Sequence, residues 1–271
     1  MSARVEVLDH GYVELVESWG SDERIVEAAR MSTGKGFLGW GPSGQCTVCG
    51  LEVTPRDYAY DGACCPRCTE SNAGTYTVQA VAGDERLLRY LWENQHATPF
   101  EMGGLVVEVQ APIFVFREWH RHRTQSYNEL SARYTPLPDV NYVPSVERLM
   151  ANARGTNRQA NAIKDAPPLT EDQAEVFQRF LIRTYRETEH RYQEALSAGV
   201  PKELARLHVP VGRYSRMRAS ANVRNWLAFL TLRDSPKAQW EIRQYAQVVS
   251  QLVAEKFPRT HALFAEKARA A

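Results

Sequence analysis

The stretch "RHRTQSYNELSARY", residues 121–134, constrains this chain more than any other part of its sequence. Arg121, His122 and Arg123 are adjacent, and each residue of a helix turns by about 100°, so no single helix face presents all three side chains. Arginine provides a fork of donors that suits phosphates and carboxylates. A solvated helix end with internal salt bridges is the plain alternative. The serines, asparagine and tyrosine between the charges favour a binding site for an anionic ligand.

The charge balance narrows the kind of ligand. Lys plus Arg total 33 and Asp plus Glu total 32, which gives a net charge of +1. A protein that binds nucleic acid through a basic surface normally carries a larger excess, so this rival interpretation is disfavoured. No apolar run approaches the roughly 18 residues of a membrane span, and the N-terminus lacks an apolar signal-peptide core. We expect a soluble, cytoplasmic protein.

The first half of the chain reads as mixed strand and helix. Alternation from Val5 to Val16 predicts strands around a turn at Gly11. Capping residues and apolar spacing predict two helices, one after Ser21 and one over residues 84–95 with Asp84 as its cap. The sequence then predicts a strand at Leu105–Gln110 and, after Pro112, a helix over residues 113–123.

The second half reads as mostly helical. Residues 135–169 are rich in Pro, Asn and Ala and predict a long loop. Thr170 and Gln173 form a capping-box pattern that opens a helix to about Ala198. Three further helices are predicted over residues 201–209, 222–233 and 238–257, the last closed by Pro258. The sum is an α+β, helix-rich chain.

All five cysteines and nine of the sixteen glycines fall between residues 34 and 83, which indicates a loop-rich insertion. Cys46, Cys49, Cys65 and Cys68 form two C-x2-C pairs separated by fifteen residues, a spacing that suits a four-cysteine zinc ribbon. A disulfide-linked loop and a metal-free relic are the alternatives. A metal site on His120 and His122 is disfavoured, because residues i and i+2 do not share a helix face.

The motif at residues 121–134 fits RHRxxSxNExSxRY and looks like the signature of the flavin-dependent thymidylate synthases. Three other segments resemble this family: "ARMSTGKG" at 29–36, "HATPFE" at 96–101, and nearly all of residues 203–246. Residues 39–80 have no counterpart in the family pattern. The resemblance implies one synthase domain over residues 1–271 with an inserted four-cysteine module at 39–80. It also implies a central antiparallel sheet.

The resemblance implies a reaction and its partners. Family members are homotetramers that bind FAD where subunits meet, so side chains leaving one short motif in different directions reach different ligands. They methylate dUMP at C5 to give dTMP. Methylenetetrahydrofolate donates the carbon, and reduced FAD, regenerated by NADPH, donates the hydride.

Carried over by position, the resemblance assigns residues to each ligand. FAD contacts are expected from Ser32, His96, Thr98, Arg121, His122, Arg123, Glu129, Asn222, Arg224 and the position of Ala228. Contacts with dUMP are expected from Glu118, Arg121, Glu129, Ser131, Ala132, Arg133, Arg206 and Arg233.

Arg233 is the expected catalytic residue. A hydrogen bond from it to the uracil ring favours charge that develops at N3 and O4, which makes C5 more nucleophilic. No cysteine lies in the matched blocks, and the flavin mechanism needs no enzyme nucleophile, so Ser131 is assigned to binding. Surface salt bridges remain the alternative for Arg206 and Arg233, and a helix cap remains the alternative for Asn222.

The chain departs from the family pattern at four positions. Glu118 stands where Gln is usual, and Ala228 stands where Asn or His is usual. Met102 stands where His is often found, and Lys237 stands where His is sometimes found. A flavoprotein oxidase that has lost methyl transfer is therefore a third hypothesis, for which Ala228 is the only hint.

The cysteine spacing predicts one zinc ion per chain. Metal analysis of untagged protein should find it, and Cys49→Ser should abolish it and make residues 39–80 more sensitive to proteolysis. Because the module is expected to be a local staple, this variant should keep FAD binding and most dTMP synthesis. Zinc-free wild-type protein, or a Cys46–Cys68 disulfide, would refute the ribbon.

Overall fold

A computed structural model describes residues 4–40, 43–46, 52–53, 78–81, 83–151 and 167–270. Within these ranges the chain forms a five-stranded antiparallel sheet, a small three-stranded sheet and nine α-helices, which confirms the α+β expectation. None of the described helices is long and apolar enough to cross a membrane.

The five-stranded sheet has the order β1-β2-β6-β8-β7. It begins with the expected hairpin, in which Val5 pairs with Val13 and Val7 pairs with Gly11. A Cβ atom at Gly11 would collide with the hydroxyl of Tyr245, so only glycine fits at this position. The strands are β1 Val5–Val7, β2 Gly11–Trp19, β6 Gly104–Pro112, β7 Ser126–Glu129 and β8 Tyr214–Asn222.

The small sheet falls in the predicted insertion. Its order is β4-β3-β5, with β3 antiparallel to both neighbours. The strands are β3 Ser43–Cys46, β4 Glu52–Val53 and β5 Val78–Val81. Cys49, Cys65 and Cys68 lie outside the described residues, and only the backbone of Cys46 is described, so the zinc expectation stays a prediction.

The helices divide into long core elements and short connecting ones. Three single-turn 3-10 helices accompany them at Met31–Thr33, Thr98–Glu101 and Arg206–His208. The α-helices are α1 Asp22–Arg30, α2 Asp84–Glu93, α3 Ile113–Trp119, α4 Val146–Ala151, α5 Glu171–Ser197, α6 Lys202–Ala205, α7 Val223–Arg233, α8 Trp240–Lys256 and α9 Pro258–Ala270.

The chain divides into two compact units. The first unit comprises Met1–Glu17, Val106–Ala221 and Ala228–Gln251, and its buried side chains include Val107, Trp119, Met217, Phe229 and Tyr245. The second unit comprises Ser18–Leu105, Asn222–Leu227 and Leu252–Ala271, and its buried side chains include Ile25, Leu88, Phe100, Trp226 and Phe257.

The helix expected over residues 113–123 ends early, at Trp119. The hydroxyl of Tyr127 donates to the carbonyls of Trp119 at 3.2 Å and His122 at 2.6 Å. The Trp119 indole, in turn, donates to Gln125 at 3.0 Å. These hydrogen bonds hold residues 120–125 in a non-helical connection to β7, so the last four residues of the expected helix are not helical.

Several other expectations were wrong. Strands β7 and β8 were not predicted, the loop at 135–169 contains α4, and the helix at 201–209 is only α6 plus a 3-10 turn. Helix α8 ends at Lys256, just before Pro258, so the expected end of that helix is confirmed. Helix α9 was not predicted; Pro258 is its first residue, where the missing N–H costs nothing. The caps at Ser21 and Thr170 are confirmed.

Asp84 does not cap α2, because Gly83 holds that position. Its fully buried carboxylate instead accepts hydrogen bonds from the Arg30 guanidinium at 2.5 and 2.7 Å. It also accepts from the backbone N–H groups of Leu38 at 2.6 Å and Gly39 at 2.9 Å. One carboxylate therefore fixes the chain just before the inserted segment.

Asp84→Ala should destabilise the protein strongly. The change leaves the Arg30 charge and two backbone N–H groups without their acceptor, and breaking such a buried pair typically costs about 3–5 kcal/mol. Chemical denaturation measures the loss. The matched control is Glu175→Ala, which breaks an exposed pair with Arg179 and should change stability by less than about 1 kcal/mol. Equal effects of the two variants would contradict the anchoring role of Asp84.

Candidate active site

The first three motif residues lie in the turn between α3 and β7. The His122 N–H donates to the Trp119 carbonyl at 3.0 Å. Arg121 and Arg123 are exposed, whereas His122 is partly buried. The three side chains therefore do not share a helix face, as the sequence indicated. The turn leaves Arg121 and Arg123 accessible to an anionic ligand.

Arg233, the last residue of α7, meets the same turn. Its Nε donates to His122 Nε2 at 2.9 Å, its Nη1 donates to the Glu118 carboxylate at 2.6 Å, and its Nη2 donates to the Glu118 carbonyl at 2.9 Å. The Arg233 side chain is 14% exposed, so it is not a solvated surface arginine. We call Arg233, His122 and Glu118 the arginine clamp.

His122 is held neutral in the clamp. Burial, followed by the positive charge of Arg233, lowers its pKa to about 4, and the nearby Glu118 only partly opposes this. Since Nε2 accepts the hydrogen bond from Arg233, the ring proton lies on Nδ1. The ring also packs edge-on against Phe229, with centroids 4.9 Å apart.

The rest of the motif borders a cleft of about 470 Å³ in the first unit. Four residues that the resemblance assigns to dUMP line this cleft: Glu129, Ser131, Ala132 and Arg206. Arg117 and Ser215 also line it and were not expected from the sequence. The hydroxyl of Ser215 is buried and has no hydrogen-bond partner among the described residues. The signal in the sequence that could have found this serine is the alternation of Arg216 and Arg218 with Met217 and Ala219, which places Ser215 on the buried face of a strand.

Arg133 is paired with Glu203 at 3.1 Å, and both side chains are about half exposed. Its backbone N–H bonds the Ser131 hydroxyl at 3.3 Å. An exposed ion pair of this kind is worth little, so the guanidinium can exchange Glu203 for an anionic ligand at small cost.

A separate group of expected residues lies in the second unit. Thr98 opens the 3-10 helix Thr98–Glu101, and Glu101 at its end pairs with Arg224 at 2.5 Å. His96 is exposed and its ring contacts that of Tyr90. Ser32 is exposed and donates to the carbonyl of Ala29 at 3.2 Å. Glu101 is the last residue of the family segment at 96–101, but its ion pair with Arg224 was not expected from the sequence.

Asn222 caps α7, because its Oδ1 accepts the N–H of Asn225 at 2.9 Å. The structure therefore confirms that Asn222 is a helix cap. A contact between the same side chain and the flavin stays a prediction. Ala228 is exposed on α7 and offers no hydrogen-bonding group. Among the side chains that are described, no three His, Cys, Asp or Glu residues come close enough together to hold a metal ion.

Comparison with known proteins identifies the group to which this arrangement belongs. The sequence model of the family described as thymidylate synthase complementing protein matches residues 14–259. A flavin-dependent thymidylate synthase of Thermus thermophilus is 33% identical over 97% of this chain and 78% of its own length. That of Thermotoga neapolitana is 32% identical over 96% of this chain and 94% of its own length. The chain belongs to the flavin-dependent thymidylate synthase family.

Solved structures agree with this assignment. A crystal structure of the UMP/dUMP methylase PolB from Streptomyces cacaoi with 5-Br UMP covers 98% of both chains, with 29% identity and a TM-score of 0.70. The same methylase with 5-Br dUMP covers 97% of both chains, with 30% identity and a TM-score of 0.69.

Flavin-dependent thymidylate synthases need groups that hold a dinucleotide pyrophosphate, and the chain offers them. Arg121 and Arg123 are exposed on one turn, and Arg224 is 54% exposed beside a single carboxylate. Exposed guanidinium forks suit pyrophosphate oxygens. The residues present therefore fit FAD.

The clamp predicts an unusual titration of His122 in this synthase. A histidine whose pKa is lower in the folded than in the unfolded chain binds fewer protons when folded. His122 therefore adds fully to the free energy of unfolding above about pH 6.5, where its ring is neutral in both states. This contribution is lost as the pH falls towards about 4. NMR of histidine-labelled protein should show a neutral His122 ring at pH 6.

Arg233→Ala supplies the comparison for this titration. The variant should raise the His122 pKa only in part, since burial is the larger cause. A wild-type midpoint near 6.5 would contradict the clamp.

Proposed function

We propose that this enzyme converts dUMP to dTMP, taking the carbon from methylenetetrahydrofolate and the hydride from FAD that NADPH reduces. The observation that carries the proposal is the arginine clamp, which fixes a charged guanidinium beside the motif that the family uses for nucleotide and flavin. When bound, FAD supplies the reducing equivalents that turn a transferred one-carbon unit into a methyl group.

Arg233 activates the uracil ring in this proposal. A hydrogen bond from a fixed guanidinium strengthens as negative charge develops on the ring, and such a donor stabilises the transition state more than the bound substrate. His122 Nε2 accepts a hydrogen bond from Arg233 Nε, so the neutral imidazole holds the guanidinium in place and leaves its positive charge unneutralised. The matched blocks contain no cysteine, and the proposed reaction needs no nucleophile from the enzyme.

The nucleotide phosphate is proposed to bind Ser131, Arg133 and Arg206, with the backbone at Ala132 and the guanidinium of Arg121 nearby. Arg206 lines the cleft and is exposed, and Arg133 is held only by a surface ion pair. Two guanidinium groups that are free to exchange partners suit a dianionic phosphate.

FAD contacts are proposed for ten positions that the family motifs assign to the flavin. They are Ser32, His96, Thr98, Arg121, His122, Arg123, Glu129, Asn222, Arg224 and the position of Ala228. The support is the family motifs, together with the exposed guanidinium groups of Arg121, Arg123 and Arg224. Asn222 can serve only through atoms that its cap does not use.

Three further features rest on the sequence. The enzyme is proposed to be a homotetramer with its active sites at subunit interfaces, and size-exclusion chromatography with light scattering tests this. Residues 39–80 are proposed to be an inserted structural zinc module within the synthase domain. Nucleic acid is not proposed as a partner, because the net charge is only +1.

UMP is a second candidate substrate. The structures that resemble this chain are those of a methylase whose name includes both UMP and dUMP, solved with the bromo analogue of each. The identity to that methylase, 29–30%, is close to the 33% identity to the Thermus synthase. Assays with both nucleotides decide between a strict dUMP enzyme and one that accepts either.

Arg233→Ala should lower turnover by roughly 10²–10³, because one donor to a developing charge is lost. Arg133→Ala should instead mainly raise the dissociation constant for dUMP. Tritium release from C5-labelled dUMP, with NADPH and methylenetetrahydrofolate supplied, measures turnover, and calorimetry measures the dissociation constant. Arg179→Ala, which removes an exposed α5 arginine, is the matched control and should behave as wild type.

Two results of this assay would contradict the proposal. Wild-type turnover in Arg233→Ala would rule out the activating role. A wild-type protein that binds no flavin and releases no tritium would rule out the reaction itself.

A further inference from the structure

All three nitrogens of the Arg233 guanidinium are engaged within the described residues. Two of them bond Glu118, through its carboxylate and its carbonyl, and the third bonds His122. An arginine carries five N–H donors, so about two remain for a ligand, one on each terminal nitrogen. The guanidinium plane is therefore fixed before any substrate arrives.

The three acceptors are not equivalent. The Glu118 carbonyl belongs to the backbone of α3, and His122 is neutral because of burial and the adjacent Arg233. The Glu118 carboxylate is the one charged acceptor, and its bond to Nη1 at 2.6 Å is the shortest of the three. A hydrogen bond between two charged groups is roughly twice as strong as a neutral one.

Exposure separates the two members of the pair. The Glu118 side chain is 40% exposed, whereas that of Arg233 is 14% exposed. The arginine is therefore the partner that depends more on this hydrogen bond, because water can replace less of it. Without the carboxylate, Arg233 keeps two acceptors on one edge of its plane, and its Nη1 end gains rotational freedom.

We propose that Glu118 acts through Arg233, as a positioning residue that holds the guanidinium for the uracil ring, and not as a direct contact for the nucleotide. This inference rests on the proposed function, in which Arg233 faces uracil. It gives a role to the position where the family usually has Gln. An amide oxygen can accept the same hydrogen bond from Nη1, so the position of Arg233 survives the difference in charge.

A double-mutant cycle tests the proposal. Turnover and dUMP binding are compared in the wild type, Glu118→Ala, Glu118→Gln, Arg233→Ala and the combined Glu118→Ala/Arg233→Ala variant. Glu118→Ala should lower kcat by about 10–100-fold, because a small displacement of a catalytic group is costly. The dissociation constant for dUMP, measured by calorimetry, should change less than about threefold.

Two further results are expected if Glu118 acts only through Arg233. Glu118→Gln should recover most of the turnover lost in Glu118→Ala, since the acceptor is restored. The combined variant should be no slower than Arg233→Ala, because a positioning residue has no effect once its partner is gone. Glu175→Ala, which removes a surface glutamate paired with Arg179, should keep wild-type turnover.

Several outcomes would overturn the inference. Additive losses in the combined variant would show that Glu118 acts independently of Arg233. A large rise in the dUMP dissociation constant with unchanged kcat would make Glu118 a direct nucleotide contact, and wild-type behaviour of Glu118→Ala would remove its role. If Arg233→Ala itself keeps wild-type turnover, the proposed function fails together with the inference. Thermal melting checks folding, and Glu118→Ser provides a second cycle if the alanine variant does not fold.

Discussion

The hydroxyl of Tyr127 determines where α3 ends, and the candidate active site depends on that end. It donates to the carbonyls of Trp119 and His122, which brings the chain into a turn directly after the helix. Burial raises the pKa of Tyr127 to about 12, so the hydroxyl keeps its proton and remains a donor at neutral pH. The turn then places His122 on one side of Arg233 while the last helical turn places Glu118 on the other. The arginine clamp thus depends on the hydrogen bonds of one partly buried phenol.

The sequence predicts the chemistry of this site better than its shape. The motif at residues 121–134 and the block at 203–246 identify the family, and the caps at Ser21 and Thr170 are local signals that the structure confirms. The end of α3 could not be predicted, because "IFVFREWHRHR" continues a helical pattern and the hydroxyl that bonds the Trp119 and His122 carbonyls comes from Tyr127, outside that segment. Strand β8 was missed because two of the residues on its buried face, Ala219 and Ala221, are alanines, which are depleted in strands.

Asp84 illustrates a second limit of local patterns. An aspartate at the start of a helix reads as a cap, and the helix does begin there. Its carboxylate is used instead by Arg30, 54 residues away, and by the backbone at Leu38 and Gly39. Only the folded chain brings these donors together. Asp84, which follows the insertion in sequence, therefore fixes the backbone at Leu38 and Gly39, where the insertion begins.

The arginines of the candidate site differ in how firmly they are held, and this difference separates two tasks. Arg133 and Arg224 each pair with one carboxylate at the surface, so a phosphate can replace that partner at little cost. Arg233 is largely buried and held by three acceptors, so it cannot move to follow a ligand. A mobile cation is suited to binding, because it adapts to the substrate as it arrives. A fixed one is suited to catalysis, because no free energy is spent on reorienting it when charge develops on the ring.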